Sequence, residues 1–176
     1  MIRRALSRLF RREDGTATIE FVLVVPVVIS IFMASVEAGF YMTKHVMMER
    51  GLDLVMRDVR LGNLGTFGDN KLRKLICAAT PVIEDCENSL LVEMRPISTN
   101  SFSMPDKAAP CINRNETTKA EDRVEPGGSH EIMLIRICSI QDPIFPSTGI
   151  GLRLRAVKYG GGYQMVAASI FVNEPR

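Results

Sequence analysis

Residues 21–36 form a sixteen-residue stretch without a single charge, and eleven of its members are Val, Leu, Ile or Phe. On insertion scales those eleven favour a lipid environment by roughly 3–7 kcal/mol. The strict apolar run is shorter than the ~20 residues a bilayer core needs, but Ala17–Ile19 before it and Ala38–Met42 after it extend a helix to about 39 Å. Any fold for this chain must therefore accommodate an amino-terminal membrane helix over residues 16–42. It must also account for Glu20 and Glu37, two carboxylates that belong near the two interfaces or need partners.

The 176 residues suit one domain plus this appendage. Lys and Arg number 22 against 20 Asp and Glu, a net charge of +2. Arg3, Arg4, Arg8, Arg11 and Arg12 face only Glu13 and Asp14, so residues 1–15 carry +3 and the remainder −1. A chain whose basicity lies in its first fifteen residues lacks the basic domain face that nucleic-acid binding requires. Arginines beside an apolar run are instead a topology signal that keeps this end cytoplasmic.

A secretory signal peptide is one reading of this end, cut after Ala38 behind the small residues Val36 and Ala38. It gives no purpose to Glu20. In the sequence Asp14-Gly15-Thr16-Ala17-Thr18-Ile19-Glu20-Phe21, a peptidase at the membrane face would find a side-chain-free residue, Gly15, before its scissile bond. Cutting there frees an α-amine on Thr16, four residues from Glu20 and on the same helix face. A carboxylate in hydrocarbon costs about 2.5–3.5 kcal/mol on insertion scales. A nearby ammonium, on the same or a neighbouring chain, offsets that cost and turns it into a docking preference. Pro26 leaves the Val22 carbonyl without its helical donor, which reads either as a tolerated kink in a span or as a bend that helps the helix enter or leave an assembly, the first being the favoured reading.

Gly15 followed by Thr16–Phe21 resembles the processing site of type IV pilins and pseudopilins. The longer stretch from Asp14-Gly15 through Ile19-Glu20-Phe21 to Pro26 resembles the start of TadE-type proteins of the tight-adherence (Tad/Flp) pilus system, from which TadF is not separable by these motifs. Residues 167–175, ending Val172-Asn173-Glu174-Pro175, are similar to the family's closing strand, with Val172 where many relatives have Arg. The resemblance implies that residues 1–15 are a leader removed by a prepilin peptidase between Gly15 and Thr16. It implies residence in the bacterial inner membrane, a periplasmic domain, and a role beside other Tad pilins and pseudopilins in assembling an adhesive pilus. Glu20 would be the docking charge and Phe21 the residue packing after it.

Beyond the span the helical period persists. Met48, Leu52, Val55 and Val59 form a stripe that the chain's own sheet is expected to cover, and Gly62, Asn63, Gly65 and Gly68 end a helix running to about Leu61. A second helix is predicted over Asp69–Ala79. Strands are predicted at Leu90–Arg95, Glu131–Ile140 and Tyr163–Val172, with Ile150–Val157 a fourth candidate. Strands joined by loops suggest an antiparallel sheet, so the expected class is α+β: a long amino-terminal helix packed on a small sheet within an extracytoplasmic domain over 43–176. Residues 98–130, rich in Ser, Asn, Asp, Glu, Lys and Pro, read as a solvent-facing excursion between two strands.

All four cysteines, Cys77, Cys86, Cys111 and Cys138, follow the span, where an oxidising compartment favours two disulfides. Of the three connectivities, Cys77–Cys86 and Cys111–Cys138 is favoured, the first closing a turn at Pro81 and the second tying the long loop to the central strand. No Cys-x-x-Cys or close Cys-His pair supports zinc, and no phosphate loop, His-Glu-x-x-His or nucleophile elbow supports catalysis. The expected protein is non-catalytic, without cofactor, metal or small-molecule substrate. The competing reading is a secreted or single-pass anchored binding domain unrelated to pilus assembly.

Overall fold

The computed structural model of the protein describes residues 16–65, 69–98, 100, 104, 108–116, 121–147, 149–154 and 160–174. Helix α1, Thr16–Arg60, runs unbroken for 45 residues, about 68 Å at ~1.5 Å per residue. It ends where Gly62 takes a positive φ of 70°. The Gly62 N–H then donates to the Val59 carbonyl and the Asn63 N–H to the Asp58 carbonyl, both close to 3 Å. That paired closure needs a left-handed residue, which glycine supplies without steric cost. Arg57 and Arg60 in the last turn complement the helix dipole.

Helix α2, Asp69–Ala79, leads through a Pro81 turn into the short α3, Cys86–Ser89. Strands β1 (Leu90–Ile97), β2 (Arg123–Val124), β3 (Ile132–Gln141) and β4 (Tyr163–Val172) make one sheet in the order β2-β1-β3-β4, and helix α4, Gly149–Leu154, lies between β3 and β4. β1 pairs antiparallel to β3 with Leu90 opposite Ser139, and β3 antiparallel to β4 with Gln141 opposite Tyr163. The expected all-antiparallel sheet needs one correction. β2 joins β1 in parallel, Glu93 opposite Arg123, so the sheet is mixed. β2 caps an edge that would otherwise expose unpaired backbone groups.

The stripe on α1 is covered by the chain's own sheet. Met48, Leu52, Val55, Met56 and Val59 meet Val92 and Met94 of β1, Ile135 and Ile137 of β3 and Met165 and Phe171 of β4, with Leu72 and Ile76 of α2 alongside. Close approach of α1 and α2 depends on Gly51, where a Cβ would lie 2.1 Å from Thr80 Cγ2. The opposite face of the sheet carries a second cluster of Ala109, Cys111, Cys138 and Ile140.

Two further expectations are corrected here. Ile150–Val157 is not a fourth strand: Gly149–Leu154 is helical, and 155–157 lie outside the described residues. A side chain at 151 would collide with the Phe145 carbonyl oxygen, 2.2 Å from the Cβ position, so Gly151 lets this helix fold back on the preceding loop. The 98–130 segment is not solvent-facing throughout. Ala109, Cys111, Ile112 and Asp122 are buried, because the outer face of a sheet with Leu134 and Ile140 on it needs a cover.

Candidate functional site

The first half of α1 stands clear of the folded domain. Residues 17–32 are exposed apart from the half-buried Val25, with Ile19, Leu23 and Phe32 each about two-thirds accessible. Large apolar side chains left this bare in water would be unfavourable over such an area, and among the described residues α1 is the helix long and apolar enough to cross a membrane. It fits a single-pass membrane anchor. The hydroxyls within and just after the apolar run donate to the carbonyl four residues back, Ser30 to Pro26 at 2.7 Å, Ser35 to Ile31 at 2.9 Å and Thr43 to Gly39 at 2.8 Å. Each is thereby satisfied without water.

Of the residues singled out by sequence, Gly15 lies outside the described residues and Thr16 opens α1. Glu20 is exposed one turn later, and Phe21 is 66% exposed beside it. The helix thus presents both side chains outward. Cys77 is bonded to Cys86 and Cys111 to Cys138, with Cα separations of 5.6 and 5.2 Å.

At the other end of the span lies a polar collar whose partners are distant in sequence. Glu37 is only 2% exposed. Its carboxylate accepts the backbone N–H of Ile144 at 3.2 Å through Oε1 and of Phe145 at 2.9 Å through Oε2. Pro143 and Pro146 bracket those two residues and interrupt any strand, which frees the N–H groups to point at the helix. Sequence alone assigns Glu37 no partner, and this Pro-x-x-Pro bracket is the local signal that could have marked these two N–H groups. Two turns further on, Lys44 lies buried with Nζ 3.4 Å from both Glu84 Oε1 and Gln141 Oε1. Gln141 in turn donates to Ser139 Oγ at 3.1 Å, and the Ser139 and Ser89 hydroxyls are 3.2 Å apart.

Tyr163 closes the collar, its ring edge-on to Tyr41 with centroids 5.2 Å apart. Its phenol is pushed up to about 12 from 10.0, first by burial and then by the negative charge of Glu37, Tyr41, Glu84 and Asp142 around it. A proton held more tightly in the folded state stabilises the fold below the unfolded pKa of 10.0 and is lost as pH climbs toward 12. Wild type should therefore lose stability between pH 10 and 12 relative to Tyr163→Phe, measured as the pH dependence of the urea midpoint of each. Parallel curves for the two proteins would contradict this.

The outer part of the domain is locked by charge. Arg73 of α2 donates from Nε to Asp122 Oδ2 at 2.8 Å and places Nη2 2.6 Å from Oδ1, which also accepts the Val92 N–H at 2.9 Å. On the sheet's outer face Arg136 Nε donates to Glu93 across the β1–β3 ladder at 2.8 Å. Neither pair was legible as such in the sequence. Among the described residues no three His, Cys, Asp or Glu side chains cluster as a metal site.

Compared with known families, residues 15–53 match the TadE-like protein family. The match covers α1 from its start to Asp53, so the part of the chain that is TadE-like is the exposed apolar half of this helix and the first turns of its buried stripe. No curated protein and no solved structure matches the chain.

Proposed function

We propose that this chain is a membrane-anchored pseudopilin of the TadE type, acting in assembly of an adhesive Tad/Flp pilus without catalysing a reaction itself. The observation that carries the reading is the coincidence of the TadE-like match at 15–53 with a helix whose first half is bare of the domain and apolar enough for a span. In this reading a prepilin peptidase cuts between Gly15 and Thr16, the basic leader stays cytoplasmic, and the disulfide-bonded domain sits on the periplasmic side of the inner membrane. Thr16 supplies the new amine. In the same reading Glu20 and Phe21 dock against helices of other Tad pilins and pseudopilins, and their exposure on the first turns of α1 supports this.

The test is the mature terminus. Protein extracted from membranes of piliated cells should begin at Thr16, and Gly15→Leu should leave the precursor at full length with piliation lost. A terminus at Met1 or Gly39 in wild type would overturn the processing step. In the same cells Glu20→Leu should be processed and yet fail to support fibres, because a leucine offers no charge to the neighbouring amine. Normal fibre production would remove Glu20 from the docking role.

A further inference from the structure

The loop after β3 and helix α4 meet α1 at a level where the apolar run has not yet ended. A Cβ on Gly149 would lie 3.6 Å from the Ala34 Cβ, and Ala34 is inside the uncharged stretch 21–36. Three residues on, Glu37 ties Ile144 and Phe145 to the helix through their backbone N–H groups. The loop and α4 form one compact piece, since the Phe145 carbonyl and Pro143 crowd Gly151. At its far end Leu154 packs against the main core, so α4 rises from the depth of Ala34 toward the domain.

This piece leaves apolar side chains uncovered. Ile144 is 45% exposed, Ile150 37% and Leu152 59%, and Arg153 beside them is exposed as well. Elsewhere on a water-soluble domain such exposure would carry little meaning. Here it is continuous with the bare apolar surface of α1 and sits at the depth where a bilayer passes from hydrocarbon to headgroups. Taking 17–42 as ~39 Å of helix centred on a ~30 Å hydrocarbon core, Ala34 falls about 12 Å below the outer end and so roughly 7 Å inside the hydrocarbon edge, within the depth an interfacial amphipathic segment reaches. We propose that residues 143–147 with α4, Gly149–Leu154, are a membrane foot: a surface of the folded domain that inserts into the interfacial layer of the leaflet beneath it.

Ile144, Ile150 and Leu152 then contact acyl chains and Arg153 meets headgroup phosphate, the division of labour of an amphipathic interfacial segment. Glu37 acquires a reason for its two backbone donors. At that depth a carboxylate has little water, and the loop's N–H groups take water's place. The foot fixes the tilt of the domain against the bilayer, so that α1 does not act as a free tether. The inference rests on α1 being a membrane span, and the test separates the two.

Single cysteines at Val28, Ile150, Leu152 and Asp53 would be spin-labelled in the full chain, with intact mass checking that both native disulfides remain closed. Each labelled protein is placed in nanodiscs of phosphatidylcholine and phosphatidylglycerol at one chain per disc, and collisions with oxygen and with a water-soluble nickel chelate are measured. The labels at 150 and 152 should show an oxygen-to-nickel ratio several-fold above that at Asp53, which is exposed on α1 well outside the span. They should stay below the ratio at Val28, which lies near the middle of the span. Lipid values at Val28 with water values at both 150 and 152 overturn the foot and leave the span intact. Water values at Val28 overturn the span, and the foot with it.

Discussion

Asp122→Ala should lower the unfolding free energy by about 3–5 kcal/mol, the cost of breaking a buried ion pair by removing one partner. The Asp122 side chain is fully buried, and it serves two donors: the Arg73 guanidinium, 18% exposed and otherwise donating from Nη1 to the Glu87 carbonyl at 3.2 Å, and the Val92 backbone N–H within β1. Removing the carboxylate takes the counter-charge from Arg73, which keeps only the Glu87 carbonyl, and leaves the Val92 N–H without its acceptor; an unmet buried donor alone costs about 1–3 kcal/mol. The change also frees the segment that carries β2, whose two residues are held to β1 by Glu93–Arg123 and Met94–Val124 pairing. Asp122→Asn keeps an acceptor for Val92 and should cost less than the alanine change. Urea titrations of the full chain in detergent, followed by near-ultraviolet circular dichroism, would rank the three proteins. A loss under about 1 kcal/mol for Asp122→Ala, no more than an exposed ion pair contributes, would mean that residues 121–124 are not docked as described.

The paired change Cys111→Ser with Cys138→Ser should cost about 3.5 kcal/mol, from the chain entropy that a crosslink of this span removes from the unfolded state. The bridge closes 27 residues, whereas Cys77–Cys86 closes nine. The same relation gives the shorter bridge about 2.6 kcal/mol, so the two double variants should differ in that order. The longer bridge has a second consequence. Cys111 belongs to the cluster with Ala109, Cys138 and Ile140 that covers the outer face of the sheet, and Arg114 further anchors the segment to the Asp142 carboxylate at 2.8 Å and to the Ile140 carbonyl at 2.9 Å. Losing the bridge should let residues 108–116 lift from the sheet, seen as new protease cleavage there in the oxidised variant before global unfolding. If the 77–86 double variant is the less stable of the two, or if 108–116 stays protected, the covering role assigned to the longer bridge is wrong.

These contacts mark the boundary of what the sequence carried. The span, the stripe Met48-Leu52-Val55-Val59, the stop at Gly62 and the strands near Leu90, Ile132 and Tyr163 rest on local rules: apolar runs, periods of 3.6 and 2, and a glycine where φ turns positive. Each needs only a window of neighbours to be recognised. The 150–157 stretch defeated the same rules because alternating residues looked strand-like. Within it Gly149–Leu154 is helical and folds back on the preceding loop, where Gly151 leaves room for the Phe145 carbonyl, a contact that no alternation of residue types reveals.

By itself the sequence determined that this protein has a lipid-compatible helix with a carboxylate at each end, continuing into a domain of helices and strands. Only the tertiary structure decided what those charges and polar segments meet. Glu37 finds the N–H groups of residues 144 and 145, Arg73 finds Asp122, and part of the polar stretch after Ser98 becomes the lid of a sheet. The physical reason is the cost of an unpartnered polar group away from water. That cost requires each buried charge or amide to be satisfied, but it leaves the choice of partner, often a hundred residues away, to how the elements pack.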